Sequence, residues 1–175
     1  VITNIGTAHL EGFKDLEGIT KTKNELFQFI AKNKGHLFVN ANDELLLKLA
    51  NKIHKTTYGY KGDISGKINT TTPFLNINYK DNIIKSQLIG DFQFSNIMLA
   101  ICVGDYFNIS KSNMKKSIEN YIPANNRSQI IETQNNTLIL DAYNANPSSM
   151  KVMVRSFSEQ DYDNKICILG DMLEL

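Results

Sequence analysis

The chain has 175 residues, 42% of them hydrophobic, and a formal net charge of +1. That is enough for one full domain, or one domain plus part of a second, with a buried core. The near-neutral charge gives no electrostatic case for nucleic acid or an acidic membrane as partner. No apolar run approaches the roughly 18 residues of a membrane span, and neither export nor a membrane span is expected.

In chain order, Val1–Ile5 is expected to be a short buried strand ending in Gly6-Thr7-Ala8-His9. Leu16, Ile19, Lys23, Leu26, Phe27 and Ile30 recur at intervals of three and four, predicting a helix from Leu16 to about Ala31, closed by Gly35. His36–Asn40 reads as a strand, Asp43 as the cap of a helix running to about Ile53, and Thr56–Gly59 as a third strand. This alternation predicts a parallel sheet with right-handed crossovers.

From Ile64 to Ile89 the sequence becomes rich in Thr and Asn and alternates in polarity. Phe74–Tyr79, a turn at Lys80-Asp81-Asn82 and Ile83–Leu88 predict an antiparallel hairpin appended to the α/β layer. Gly90 introduces a helix, Phe94–Phe107, with apolar residues all round, and Ser110 caps another to about Tyr121.

Pro123-Ala124-Asn125-Asn126 is the candidate boundary, dividing residues 1–127 from 128–175. Beyond it, strands are expected at Ser128–Thr133 and Thr137–Asp141, then a helix Ser149–Glu159 and a strand Lys165–Leu169 ending in Gly170-Asp171. Cys102 and Cys167 sit in the apolar runs AICVGDYF and KICILG and read as small buried hydrophobes of a reduced, cytosolic protein. The chain opens on an apolar strand without Met and is expected to be a piece of a longer protein.

Three stretches combine unusual residues with loop positions. In Thr3–Glu11, His9 reads either as a satisfied loop histidine or as a ligand or proton carrier, and Lys23 on the helical stripe either snorkels to solvent or is buried for a reason. Gly90-Asp91-Phe92-Gln93-Phe94-Ser95-Asn96 puts an amide into the first turn of a helix. The third joins Arg127 to Asp141–Pro147, within DAYNANPSSM (Asp141–Met150), where a strand runs into a helix start, a position at which α/β proteins bind ligands. Arg127, one of only two arginines with Arg155, reads either as a phosphate partner or as a solvated linker charge.

With TNIGTAHLEGF (Thr3–Phe13), ITKTKNELF (Ile19–Phe27), DAYNANPSSM and ILGDMLEL (Ile168–Leu175), the chain resembles the Mur ligase family. Within that family it is most similar to the branch that adds D-alanyl-D-alanine to UDP-N-acetylmuramoyl-tripeptide. The resemblance implies the later part of a central, P-loop NTPase-like ATPase domain and the start of a Rossmann-like carboxyl-terminal domain. The P-loop and a metal-binding glutamate would precede Val1, so the stretch alone would be inactive. It further implies a cytoplasmic, monomeric peptidoglycan-precursor ligase that uses ATP and Mg²⁺ and forms an amide through an acyl phosphate.

By the same resemblance His9 and Lys23 would serve the metal, with Lys23 carbamylated, and His9, Lys23 and Arg127 would carry catalysis. Asn96 would approach adenine, Arg127 the phosphates and Asp141 the ribose, while Tyr143, Asn144, Asn146 and Asn4 would line the cleft. Two departures are visible. Phe92-Gln93 stand where many relatives have His-Asn, assigning Phe92 to base stacking or packing, and Leu140 precedes Asp141 where an acidic pair is common. The alternatives are another Mur-type or folylpolyglutamate-type ligase, against which the YNANP and GDMLEL segments speak, or a non-catalytic nucleotide-binding module.

Overall fold

The computed structural model describes residues 1–6, 15–124 and 126–172. Helix α1, Leu16–Lys32, starts where Asp15 turns its carboxylate onto the backbone N–H of Gly18 at 2.7 Å, with Glu17 in the first turn and Lys32 in the last. Its buried residues are Ile19 and Phe27, eight positions apart on one stripe. Leu16 and Leu26, expected on that stripe, are 45% and 43% exposed. Phe27 packs with Ile2, Leu37, Val39, Leu46 and Ala50 in one apolar cluster.

Strand β1, Leu37–Asn40, leads to helix α2, Glu44–Leu49, which is capped by Asp43 accepting from Leu46 N–H at 2.9 Å. Strand β2, Lys55–Gly59, returns parallel to β1 in the register Leu37↔Lys55 to Asn40↔Tyr58. Strand β3, Ile64–Thr70, pairs parallel with β2 only at Tyr58↔Ile64 and Gly59↔Ser65, and antiparallel with β4, Asn76–Tyr79. Strand β5, Asn82–Lys85, closes a hairpin with β4 through a two-residue turn in which Lys80 has φ 52°. The sheet order is β1-β2-β3-β4-β5, the parallel sheet with its appended antiparallel hairpin that the sequence predicts. Burial alternates along the hairpin as period two requires, with Leu75, Ile77, Tyr79, Ile84, Ser86 and Leu88 inward.

A 3₁₀ turn, Asp91–Gln93, opens helix α3, Phe94–Tyr106, whose Phe94, Ile97, Met98, Ile101 and Cys102 are buried. α3 packs on β1, β2 and β3. Met98 lies against Gly66, where a β-carbon would stand 2.8 Å from its sulfur. Helix α4, Lys111–Glu119, is capped by Ser110 and clips β5, since Glu119 accepts from Lys85 N–H and Gln87 Nε2, both at 2.9 Å.

The remaining residues build a separate antiparallel pair, β6 Gln129–Glu132 and β7 Thr137–Leu140, and helix α5, Pro147–Ser158. An ion pair, Arg155 to Asp91 at 2.5 Å, ties α5 to the turn before α3.

Three sequence expectations are corrected. Residues 1–6 form no strand, because Ile2 and Ile5 serve the core without a backbone ladder among the described residues. Lys165–Leu169 is likewise unpaired, leaving Ile166 and Ile168 83% and 92% exposed. Cys167, on that segment, is therefore exposed rather than buried.

Cys102 is fully enclosed by the sheet, and burial pushes its thiol up to about 11. In native protein at pH 8 a thiol-reactive dye is expected to label Cys167 rapidly and Cys102 only after denaturant is added. Equal labelling rates would contradict the burial of Cys102.

Candidate functional site

The sequence-predicted residues fall into three groups. The first is Asn4 with Lys23. Lys23 stands between Ile19 and Phe27 in α1, and its Nζ donates to the Asn4 carbonyl at 3.1 Å. Lys23 is exposed, the first of the two readings its place on the stripe allows, and not the partly buried amine that a carbamylated lysine would suggest. His9, expected beside it, lies outside the described residues.

The second group is built where the two halves of the chain meet. Gly90 adopts φ 90°, a conformation costly for any residue with a β-carbon. A β-carbon there would also stand 2.3 Å from the Phe92 ring and 2.9 Å from Ser156 Oγ of α5. Phe92 thus packs over Gly90, favouring the packing half of its expected role. The turn delivers Asn96 to the exposed face of the first turn of α3, its amide donating to Gln93 Oε1 at 2.8 Å.

Gln93, Asn96 and Arg127 line a cavity of about 490 Å³ whose other walls are mainly apolar, among them Leu88, Ile97, Ala100 and Ile118. A mainly apolar cavity lined also by two amides and one guanidinium suits a heteroaromatic ring carrying an anionic group. Arg127 also sits 3.6 Å from the centre of the Tyr143 ring, a cation–π contact that fixes the guanidinium at the cavity mouth.

The third group is the turn after β7. Asp141 Oδ1 accepts from Ser128 N–H at 2.8 Å and from Ser128 Oγ–H at 3.2 Å, while Ala142 N–H donates to Asn126 O at 2.8 Å. These bonds lash the ends of β6 and β7 together beside Arg127. Asp141 and Asn144 line a second cavity of about 390 Å³, walled by Met150, Met153, Phe157 and the extended segment from Ile166.

Asn146 is the N-cap of α5. Its Oδ1 accepts from Ser149 N–H at 2.9 Å, and its own N–H donates to Ser149 Oγ at 3.2 Å. Half of its amide is therefore committed to starting the helix. Sequence reasoning missed Gln93 as a cavity residue and Tyr143 as the partner of Arg127. The first was visible only as the residue three before Asn96, and the second had no signal, because the contact depends on the β6–β7 register.

An α/β sheet whose ligand-suited cavity lies at the join with a second unit is the architecture of a two-part α/β protein. Comparison with known proteins agrees. Residues 1–104 match the Mur ligase middle domain and residues 126–175 the Mur ligase, glutamate ligase domain. The chain belongs to the Mur ligase family.

It is 32% identical over 183 aligned residues to the UDP-N-acetylmuramoyl-tripeptide–D-alanyl-D-alanine ligase of Bacillus subtilis, an alignment covering 100% of this chain and 39% of that protein. Among solved structures it resembles MurF of Acinetobacter baumannii (TM-score 0.76, 24% identity, covering 91% of this chain and 37% of that one). It also resembles MurF of Thermotoga maritima in complex with ADP (TM-score 0.66, 21% identity, covering 89% and 38%). At these identities the structural likenesses establish a shared fold. The chain spans about two fifths of the length of these relatives.

Gly90→Ala is expected to destabilise the chain by about 1–3 kcal/mol, through strain and displacement of Phe92. Gly170→Ala, with nothing within 4 Å of a new β-carbon, is expected to change stability by less than about 0.5 kcal/mol. Denaturant unfolding of both variants checks the contrast.

Proposed function

We propose that the protein is an ATP-dependent amide ligase of peptidoglycan-precursor synthesis that adds D-alanyl-D-alanine to UDP-N-acetylmuramoyl-tripeptide. Residues 1–127 belong to its central ATP-binding part and residues 128–175 open its carboxyl-terminal domain. One observation carries the reading. Asn96, from the segment matching the middle domain, and Arg127, at the boundary where the second family match begins, face one cavity of about 490 Å³. The likeness to the Bacillus subtilis ligase over the whole chain supports the dipeptide as the incoming amine.

In this reading adenine lies between the apolar walls with its polar edge toward Asn96 and Gln93. Arg127, held in place by the Tyr143 ring, meets the phosphates, where its fork can take two oxygens at once. Asp141 keeps one oxygen on Ser128, which leaves the other to accept from the ribose hydroxyls. Tyr143 and Asn144, both exposed on the turn after β7, and the Nδ2 of Asn146 remain to contact the dipeptide. Asn4, whose carbonyl accepts from Lys23, would face the same cleft from the central part.

The reaction transfers the γ-phosphoryl group to the tripeptide carboxylate, and the dipeptide amine then displaces phosphate from the acyl carbon. The positive charge of Arg127 favours that transfer by lying where phosphoryl oxygens gather charge. Mg²⁺ would add to that neutralisation, held by His9 and a carbamylated Lys23. The described residues do not complete such a site. No group of three or more His, Cys, Asp or Glu gathers among them, and Lys23 as an ammonium on the Asn4 carbonyl is no metal ligand. Carbon dioxide would have to convert the amine to a carbamate anion first.

In the complete enzyme, ADP release is expected to require both the UDP-linked tripeptide and D-alanyl-D-alanine. Release with UDP-N-acetylmuramate and L-alanine instead would sink the assignment. Arg127→Ala is expected to lower kcat/KM for ATP about 100-fold or more, as loss of a charge-stabilising group does. Lys23→Ala is expected to be nearly inactive, with partial recovery on adding formate or acetate. Wild-type turnover in that variant would remove Lys23 from the mechanism.

A further inference from the structure

His36 and His54 stand immediately before β1 and β2, and the parallel register Leu37↔Lys55 brings them level with one another. Their Nδ1 atoms are 3.0 Å apart. The backbone holds the pair in place, since Leu37 N–H donates to the His54 carbonyl at 2.9 Å. The His36 ring stacks on Tyr106, the last residue of α3, with centroids 4.5 Å apart and planes at 28°, and meets Phe38 edge-on at 5.2 Å. Its Nε2 lies 2.8 Å from Thr56 Oγ1. The pair sits at the amino ends of β1 and β2, away from the cavity that holds Asn96.

Two imidazole nitrogens on one tetrahedral ion, each about 2.0–2.1 Å from it, stand about 3.3 Å apart. The observed 3.0 Å needs only a few tenths of an ångström of ring movement. We propose that His36 and His54 form a binding site for a divalent transition-metal ion of the zinc class, held through both Nδ1 atoms with water completing the coordination.

The surroundings meet the further requirements of such a site. A ligating histidine uses its other ring nitrogen as a donor to a fixed acceptor. Thr56 Oγ1, 2.8 Å from His36 Nε2, can accept from Nε2–H in the tautomer that leaves the Nδ1 lone pair toward His54. His54 is exposed, so on binding its proton moves to Nε2, where solvent takes the hydrogen bond. Lys55, the cation beside the pair in sequence, is turned away onto the carbonyls of Ala50 at 3.0 Å and Asn51 at 3.3 Å.

No third His, Cys, Asp or Glu joins the pair among the described residues, so the protein supplies two ligands and the site keeps open positions. Imidazole ligands select zinc, nickel or copper over magnesium, which separates this site from the Mg²⁺ of the proposed reaction.

Calorimetric titration of Zn²⁺ into the nucleotide-free protein at pH 7.5 tests this. One saturable equivalent is expected, with the ring signals of both His36 and His54 shifting in NMR spectra of the same titration. His54→Gln, at an exposed position that does not threaten folding, should weaken binding at least tenfold. Thr56→Val should weaken it about tenfold through the lost orientation of His36. Absence of a saturable equivalent overturns the proposal. So does an equivalent that survives His54→Gln, or one that disappears with His9→Gln or Cys167→Ser instead.

Discussion

The packing of α3 against the sheet is the constraint on which the other features depend. The helix sets Phe94, Ile97, Met98, Ile101 and Cys102 against β1, β2 and β3, and Met98 can approach because β3 offers Gly66 rather than a side chain. Burying that many apolar side chains is worth several kcal/mol, far more than any single polar contact in the structure. The position of α3 then fixes both of its ends. Its first turn presents Asn96 to the cavity at the join, and its last residue, Tyr106, closes over His36. A glycine at φ 90° immediately before the helix lets the chain enter at the required angle without a side chain between Phe92 and Ser156.

The join between the two units draws on both arginines of a chain that otherwise uses lysine. Arg155 pairs with Asp91 in the turn that launches α3, and Arg127 lies on the Tyr143 ring at the cavity mouth. Both sites ask for a flat, forked cation that keeps its geometry while stacked or paired, which a lysine ammonium does not offer. The Arg155–Asp91 pair is exposed at 57% and 38% of its side chains and contributes about 1 kcal/mol at most. It therefore orients α5 more than it glues it. An orientation held this weakly is compatible with closure of one unit on the other around a ligand.

The fold was legible where one local signal decided it. Asp43, Ser110 and Asp15 are short polar residues ahead of helical stripes, and Asp43 and Ser110 were read as caps from that pattern alone. The period-two burial of Leu75, Ile77, Tyr79 and Ile84 was equally plain. Legibility failed where a segment's state depends on a partner. Val1–Ile5 and Lys165–Leu169 are as apolar as β1, but a strand needs a neighbouring ladder, and neither has one among the described residues. Cys167 followed its segment into solvent, while Cys102 followed α3 into the core.

β3 was read only as part of an alternating stretch, because its change from parallel to antiparallel pairing rests on a register no single segment encodes. At the candidate site, Arg127 and Asp141 stood out by rarity and position, whereas the Tyr143 contact and the His36–His54 pair, 18 residues apart, exist only once the strands align.

The two ends of α3 also separate two kinds of influence. Asn96 and Tyr106 are ten residues apart on one helix, about 15 Å along its axis. An ion bound beyond Tyr106 is thus out of reach of a nucleotide beside Asn96 and takes no part in chemistry there. What it can do is hold the native state. His36 and His54 are level only when β1 and β2 are paired, so an ion bound to both favours the paired sheet by mass action, in proportion to its concentration over its dissociation constant. That stabilisation falls on the strands against which α3 packs. The pair therefore acts on the same contact that places Asn96, through the stability of the sheet and not through the geometry of the cavity.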